Sequence, residues 1–306
     1  MKPLVLVLVI FAFMISTDQT QAQQPATPVD LRKLADDYYN WRNQNFPVAS
    51  SDAGLHTWDN QLTDYGLSAL LARRLHVKEV LGKVRSMQTA KWSKDDRIDW
   101  LLFRSELEGA EFFNRVIDFE ETDPQTYVNE CSNGIFSLLK KEYDTPRNRS
   151  LAATARLKQM PFVIEQGKHN LNRPVRLYSQ LAIDSARSID SLFTDSLMTL
   201  AKDLPPTEKN DLIKARDAAL ASIHGFADWL ERRLPGMVPF KPMGEENYNY
   251  LLKNVYLLPI DAKQLEMLSQ VGFEAIGLGA RILRTDTACI ALLALLHDAM
   301  RSRHAP

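Results

Sequence analysis

Histidine and carboxylate side chains at short spacing are the groups in this sequence with the chemistry to bind a metal or move a proton. His224 and Asp228 stand four apart in IHGFADWL, and Glu165 and His169 four apart in EQGKH. A helical zinc site would announce itself as His-Glu-x-x-His, two imidazoles one turn apart with a glutamate base between them. None of the six histidines is followed by Glu. The i, i+4 pairs share a helix face, but such spacing is common on the polar side of any helix, so a structural or surface role is expected for each. There is no Gly-x-Ser-x-Gly elbow, and Cys131 in NECSNG has no neighbouring His to activate it. The scattered glycines form no phosphate-binding loop. No catalytic residue and no metal ligand is assigned.

The composition narrows the class. Thirty-seven Lys and Arg against 38 Asp and Glu give a net charge of -1, without the basic surplus that nucleic acid or an anionic membrane favours. Two cysteines, Cys131 and Cys289, make no disulfide scaffold; two buried thiols are expected, with one bridge as the alternative. Lys2 followed by the apolar run Pro3 to Ile15 and then Thr20-Gln21-Ala22 reads as a secretory signal over residues 1–22, which implies export to the periplasm or beyond. That run is too short to span a bilayer. Asn148-Arg149-Ser150 is a glycosylation sequon, relevant only in a eukaryotic secretory pathway.

The remainder reads as an all-α, compact array of about ten helices joined by short polar loops, because apolar residues return every three or four positions. Helices are expected over 29–46 and 66–90. Ser93 caps one running to about Val116, with Ile98, Leu102, Phe112 or Phe113, and Val116 on one face. Asp123-Pro124 and Thr145-Pro146 open two more, Pro174 another, and Thr207 caps a long one; Asp261 and Gln264 form a capping box. Residues 45–66 form a structured loop, and 234–244 a Pro/Gly-rich connector or short extended segment. Tyr38, Tyr39 and Trp41 are expected in the core. CIALLALL, within 289–296, is an apolar helical stretch that needs cover.

Several segments taken in order resemble a bacterial family, the "domain of unknown function eight-eight-five" group. They are Gly54, His56, Asp59, Leu62 and Asp64 in the early loop; DDRIDWLLFRSELE; TDPQTYVNECSNGIFSLL; ARLKQMPFVIEQGKHNLNRPVRLYSQLAID; and MGEENYNYLLKNVYLLP. The resemblance divides the chain into a signal peptide (1–22), a family-like helical domain (23–272) and an atypical tail (273–306). It implies an exported zincin-like zinc peptidase whose metal site, a His-Glu pair followed by Pro-Gly-His-His, lies downstream of residues 244–268. This sequence holds no such motif. The expectation is therefore an N-terminal helical portion, not catalytic alone, with zinc implied only for full-length relatives and a missing C-terminal half as its partner. The alternative is a stand-alone periplasmic or secreted module that binds a peptide or protein. The resemblance makes His56, Asp59 and Tyr248 candidates for lining a substrate groove, against the plainer reading that they cap and pack loops.

Overall fold

The computed structural model describes residues 26–270, with side chains to 267. The signal segment, Cys289, CIALLALL and the tail from 273 lie outside the described residues.

The described chain is all-α, as the periodicity implies. Its elements are α1 (Pro28–Asn45), α2 (Pro47–Asp52), α3 (Leu67–Arg85), α4 (Lys94–Phe112), α5 (Phe119–Thr122), α6 (Gln125–Leu139), α7 (Pro146–Asn170), α8 (Arg176–Arg187), α9 (Leu197–Leu200), α10 (Pro206–Arg233), α11 (Glu245–Tyr250) and α12 (Ala262–Gln270). Single π-helical turns occupy Phe113–Ile117, Leu192–Ser196 and Leu251–Val255.

Capping side chains set the helix starts. Ser93 Oγ accepts from Asp96 N, and Thr145 Oγ1 from Asn148 N, so free first-turn amides are satisfied without water. Asp261 and Gln264 exchange both bonds of a capping box. Asp123 Oδ1 accepts from Gln125 N just before α6. Thr207 departs from expectation. It is the second residue of α10, which begins at Pro206 without a side-chain cap. Proline at the first position has no N–H to satisfy, so the missing cap costs little. The helix opened after Pro174 ends at Arg187, sooner than the sequence pattern extends, and the chain resumes as the π turn at Leu192 with Ile189, Phe193 and Leu197 buried.

Two apolar cores result. The larger lies among α6, α7, α8, α9 and α10, around Tyr127, Ile135, Leu157, Ile164, Phe193 and Phe226. The smaller joins Leu31 and Tyr38 of α1, Val77, Leu81 and Val84 of α3, and Phe103 and Leu107 of α4. Tyr38 is buried, with Trp41 packed against this core; Tyr39, more exposed, stacks edge-on against Tyr38. The buried face of α4 is a correction. Phe112 is buried as expected, but Ile98 and Leu102 are exposed, and Trp100, Phe103 and Leu107 turn inward in their place. Both sets fit a helical period, and the set carrying the bulkier aromatics removes more apolar area from water. Trp100 Nε1 also donates to Val84 O, which fixes the rotation of α4 against α3.

Residues 234–244 are docked and not a free linker: Val238 and Val175 form an isolated parallel bridge, with Arg176 N donating to Val238 O at 2.9 Å.

Helix α7 meets α6 at Gly167, where a Cβ would lie 2.7 Å from the Tyr127 ring. That ring is fully buried and its hydroxyl donates to Glu120 O at 2.6 Å, so it has no room to retreat. Gly167→Ala is expected to destabilise the fold by about 1–3 kcal/mol through overpacking, read as a lower urea midpoint at unchanged m-value.

Candidate functional site

The loop from Gly54 to Gly66 is the first place where the sequence candidates can be tested against geometry. It follows α2 and lies along α6 and α7. A buried loop must find partners for its backbone groups, and here side chains of α7 supply them. Arg156, Gln159, Gln166 and Asn170 recur at intervals of three, seven and four residues and so share one face. Arg156 Nε donates to Gln61 O at 2.9 Å. Gln159 accepts from Leu62 N at 3.1 Å and donates to Asn60 O at 2.8 Å. Gln166 accepts from Tyr65 N at 3.0 Å, and Asn170 donates to Tyr65 O at 2.8 Å. From α6, Glu130 accepts from Thr63 N at 2.7 Å and from the Tyr65 hydroxyl at 3.2 Å.

Within this loop His56 and Asp59 are brought together. His56 Nδ1 stands 3.0 Å from Asp59 Oδ2, and the Ser51 hydroxyl donates to Asp59 Oδ1 at 2.5 Å. The His56 ring lies flat on Tyr143, with centroids 3.3 Å apart and planes 4° apart. Burial, and then the neighbouring Asp59 carboxylate, push the Tyr143 hydroxyl above its ordinary range. A carboxylate on Nδ1 fixes the ring orientation and leaves Nε2 as the second nitrogen of the ring. This is an imidazole–carboxylate pair held by stacking and by Ser51. It is not a serine triad, because Ser51 bonds the carboxylate and not the imidazole.

Tyr248, the third candidate, lies elsewhere, half-buried on α11. The residue on that helix that reaches the core side is Tyr250. Its hydroxyl donates to Glu108 Oε2 at 2.5 Å and accepts from Arg85 Nη2 at 3.0 Å. Arg85 also donates from Nε to Glu108 Oε1 at 2.8 Å, so one buried carboxylate holds α3, α4 and α11 together. The bond to Glu108 raises the Arg85 guanidinium, while burial followed by Glu108 raises Tyr250. Phe112 stacks on the Tyr250 ring at 5.7 Å. Gly109 permits this approach, since a Cβ there would sit 3.1 Å from Val255 Cγ1.

The other sequence pairs separate. His224 Nε2 pairs with Asp190 at 2.8 Å, while Asp228 pairs with Arg187. Glu165 pairs with Lys168 and not with His169. Cys131 is a fully buried thiol that burial pushes up, so it is unsuited to act as a nucleophile. Among the described residues no group of three or more His, Cys, Asp and Glu side chains is arranged to hold a metal ion.

The fold and this loop define an all-helical protein built around a pinned N-terminal loop. Comparison with known families gives it a place: the model described as "Bacterial protein of unknown function (DUF885)" matches residues 47–277, and the chain belongs to that family. An RNA methyltransferase domain model also matches residues 260–297, a short stretch lying mostly beyond the described residues. No curated protein matches. Among solved structures, one titled "The structure of a putative lipoprotein of unknown function from Shewanella oneidensis" is similar with a TM-score of 0.70 at 20% identity. The match covers 80% of this chain and 45% of that one, so this chain spans less than half the length of its structural neighbour. At that identity the likeness is one of fold alone.

Two variants test the pinned loop. Arg156→Met removes a buried guanidinium from five acceptors, and a loss of about 3–5 kcal/mol is expected, measured by denaturant unfolding. Glu130 is almost wholly buried, and burial raises its carboxyl above the ordinary value of 4.5. A raised folded value means its contribution is complete below the unfolded value and is lost as pH rises through the folded one. Glu130→Gln should therefore flatten the decline in stability over that window above pH 4.5, with little change below it. A pH slope identical to wild type would contradict the assignment.

Proposed function

We propose that this chain is the N-terminal helical portion of an exported zinc-peptidase-like protein, and that this portion does not catalyse peptide hydrolysis by itself. The observation that carries the reading is the correspondence with just under half of the neighbouring structure, within a family match over most of the chain. In the proposed whole, a zinc ion would polarise the peptide carbonyl and activate water, with a glutamate taking the proton. The sequence holds no His-Glu pair to supply these groups. His56 and Asp59 would then serve the family's N-terminal half by shaping one wall of a groove, and Tyr248 by lining a different part of it. Residues 1–22 would direct export, to the periplasm or outside the cell, leaving 23–272 as the family domain and 273–306 as a separate tail. A lipoprotein among the structural neighbours supports an envelope location.

The described surface supports an incomplete assembly. Leu67, Leu71 and Leu75 recur every four residues on α3 and are each more than half exposed. Leu177 and Leu181 do the same on α8 at nearly half. Contiguous apolar helix faces of this kind are uncommon on a self-sufficient monomer and mark places where further protein packs. They also favour the second reading, a stand-alone periplasmic or secreted helical module that binds a peptide or protein partner.

Metal analysis and peptidase assay of the purified chain decide between an inactive portion and an enzyme. The expected result is far less than one zinc per chain and no turnover. Stoichiometric zinc with turnover abolished by a chelator would overturn the proposal.

A further inference from the structure

Gly82, like Gly225, is a helical glycine that packing does not require, and Gly82 is the one of the two that lines a cleft. It lies in the last turns of α3, where glycine is among the poorest helix formers. Elsewhere the close glycines are forced: Gly109, Gly134 and Gly167 would each drive a Cβ into a neighbouring side chain. At Gly82 a Cβ would meet nothing within 4 Å, and its φ is not in the left-handed region. The space above it is an open cleft of about 390 Å³ walled by Lys78, Arg85, Glu111, Arg115 and Tyr250. A larger side chain at 82 would occupy that space.

The walls are charged in a definite way. Three cations face the Glu111 carboxylate in the cleft and Glu108 beneath it, which leaves one positive charge in excess. Arg85 spends Nε and Nη2 on Glu108 and Tyr250. Arg115 spends Nε on Glu111, and its guanidinium lies over the Phe112 and Tyr250 rings at 5.9 and 5.8 Å. That leaves Arg85 Nη1, both Arg115 Nη groups and Lys78 Nζ without partners among the described residues. The arginines are therefore oriented by their existing bonds, and their remaining donors are available to a planar acceptor.

We propose that this cleft binds a carboxylate, and specifically the free C-terminal carboxylate of a peptide. A single excess positive charge matches one carboxylate better than a phosphate, which carries about 1.5 to 2 negative charges near neutrality. Leu75 and Leu71 continue the exposed face of α3 away from Lys78, and they offer an apolar surface to the residues preceding that carboxylate. The site stands on α3, α4, the π turn Phe113–Ile117 and α11, and it holds whether the chain acts as part of a longer enzyme or by itself.

The test is calorimetric titration of the full chain with N-acetyl-Leu-Leu-Ala, its C-terminal amide, and inorganic phosphate. Saturable binding of the free acid is expected, at least tenfold weaker for the amide and for phosphate. Gly82→Leu should abolish binding while keeping or raising the thermal midpoint, because leucine favours the helix and meets open space. Lys78→Met should weaken binding of the acid severalfold and leave any residual affinity for the amide unchanged. Equal affinity for acid and amide, tighter binding of phosphate, no saturable binding of the acid, or undiminished binding by a folded Gly82→Leu chain would each overturn the assignment.

Discussion

A single buried guanidinium sets the geometry from which the rest of the N-terminal array follows. Arg156 is wholly excluded from solvent, and its donors reach Gln61 O, Gly134 O, Ser137 Oγ, Ser51 Oγ and Pro47 O. Those acceptors belong to the loop, to α6 and to α2, so one side chain on α7 gathers three other segments. Removing an arginine from water is expensive, and burial lowers its pKa to about 10, partly opposed by Asp59 and Glu130. It stays protonated at neutral pH. An ion in the interior is weak evidence of net stability but strong evidence of a fixed arrangement, because only one placement satisfies every donor.

That constraint explains features that look unrelated in the sequence. Gly134 must lack a side chain because a Cβ there would stand 2.9 Å from Leu62 Cδ2, and its carbonyl accepts from Arg156 at 2.7 Å. Ser51 passes the constraint on, accepting from Arg156 at 2.7 Å and donating to Asp59, which in turn holds His56. The half-buried imidazole is thus connected to the buried arginine through a serine and a carboxylate. Arg149, two helical turns earlier on α7, caps the end of α6 by donating to Leu138 O and Leu139 O. Cations are favoured at that end of a helix because the last carbonyls lack partners.

How much of this could be read beforehand depends on the range of the interaction. Caps are local: Ser93, Thr145 and the Asp261–Gln264 pair are visible because donor and acceptor lie within three residues. Periodicity is also local, yet it fixes a helix better than its rotation, which is why α4 buries Phe103 and Leu107 where Ile98 and Leu102 fit the same spacing. His56 and Asp59 were legible only as positions of the family pattern, and their pairing was not. Arg156, Glu108 and Glu130 were not. In sequence each is an ordinary charged residue on an amphipathic helix, and Arg156 finds Gln61 from 95 residues away. Tyr248 and Tyr250 in NYNY are equivalent as text, and only the meeting of α11 with Glu108 distinguishes them.

The segment GEENYNYLLKNVYLLP shows how a connecting stretch can carry an architectural demand. Gly244 enters it in the left-handed region at φ 86°, a conformation that glycine adopts without strain. After Tyr250 is clamped, the π turn accommodates an additional residue, with Tyr256 N donating to Leu251 O, and both Leu251 and Leu252 are buried. Leu257 then takes φ 54°, an uncommon choice for a branched apolar side chain and one that costs backbone energy. Asn249 Oδ1 accepts from Ala262 N at 2.7 Å, tying the first residue of α12 back to α11. A flexible tether would need none of this. The strain at Leu257 is tolerated because the clamp on one side and the capping box on the other over-determine the turn, so α12 leaves the array in one set direction.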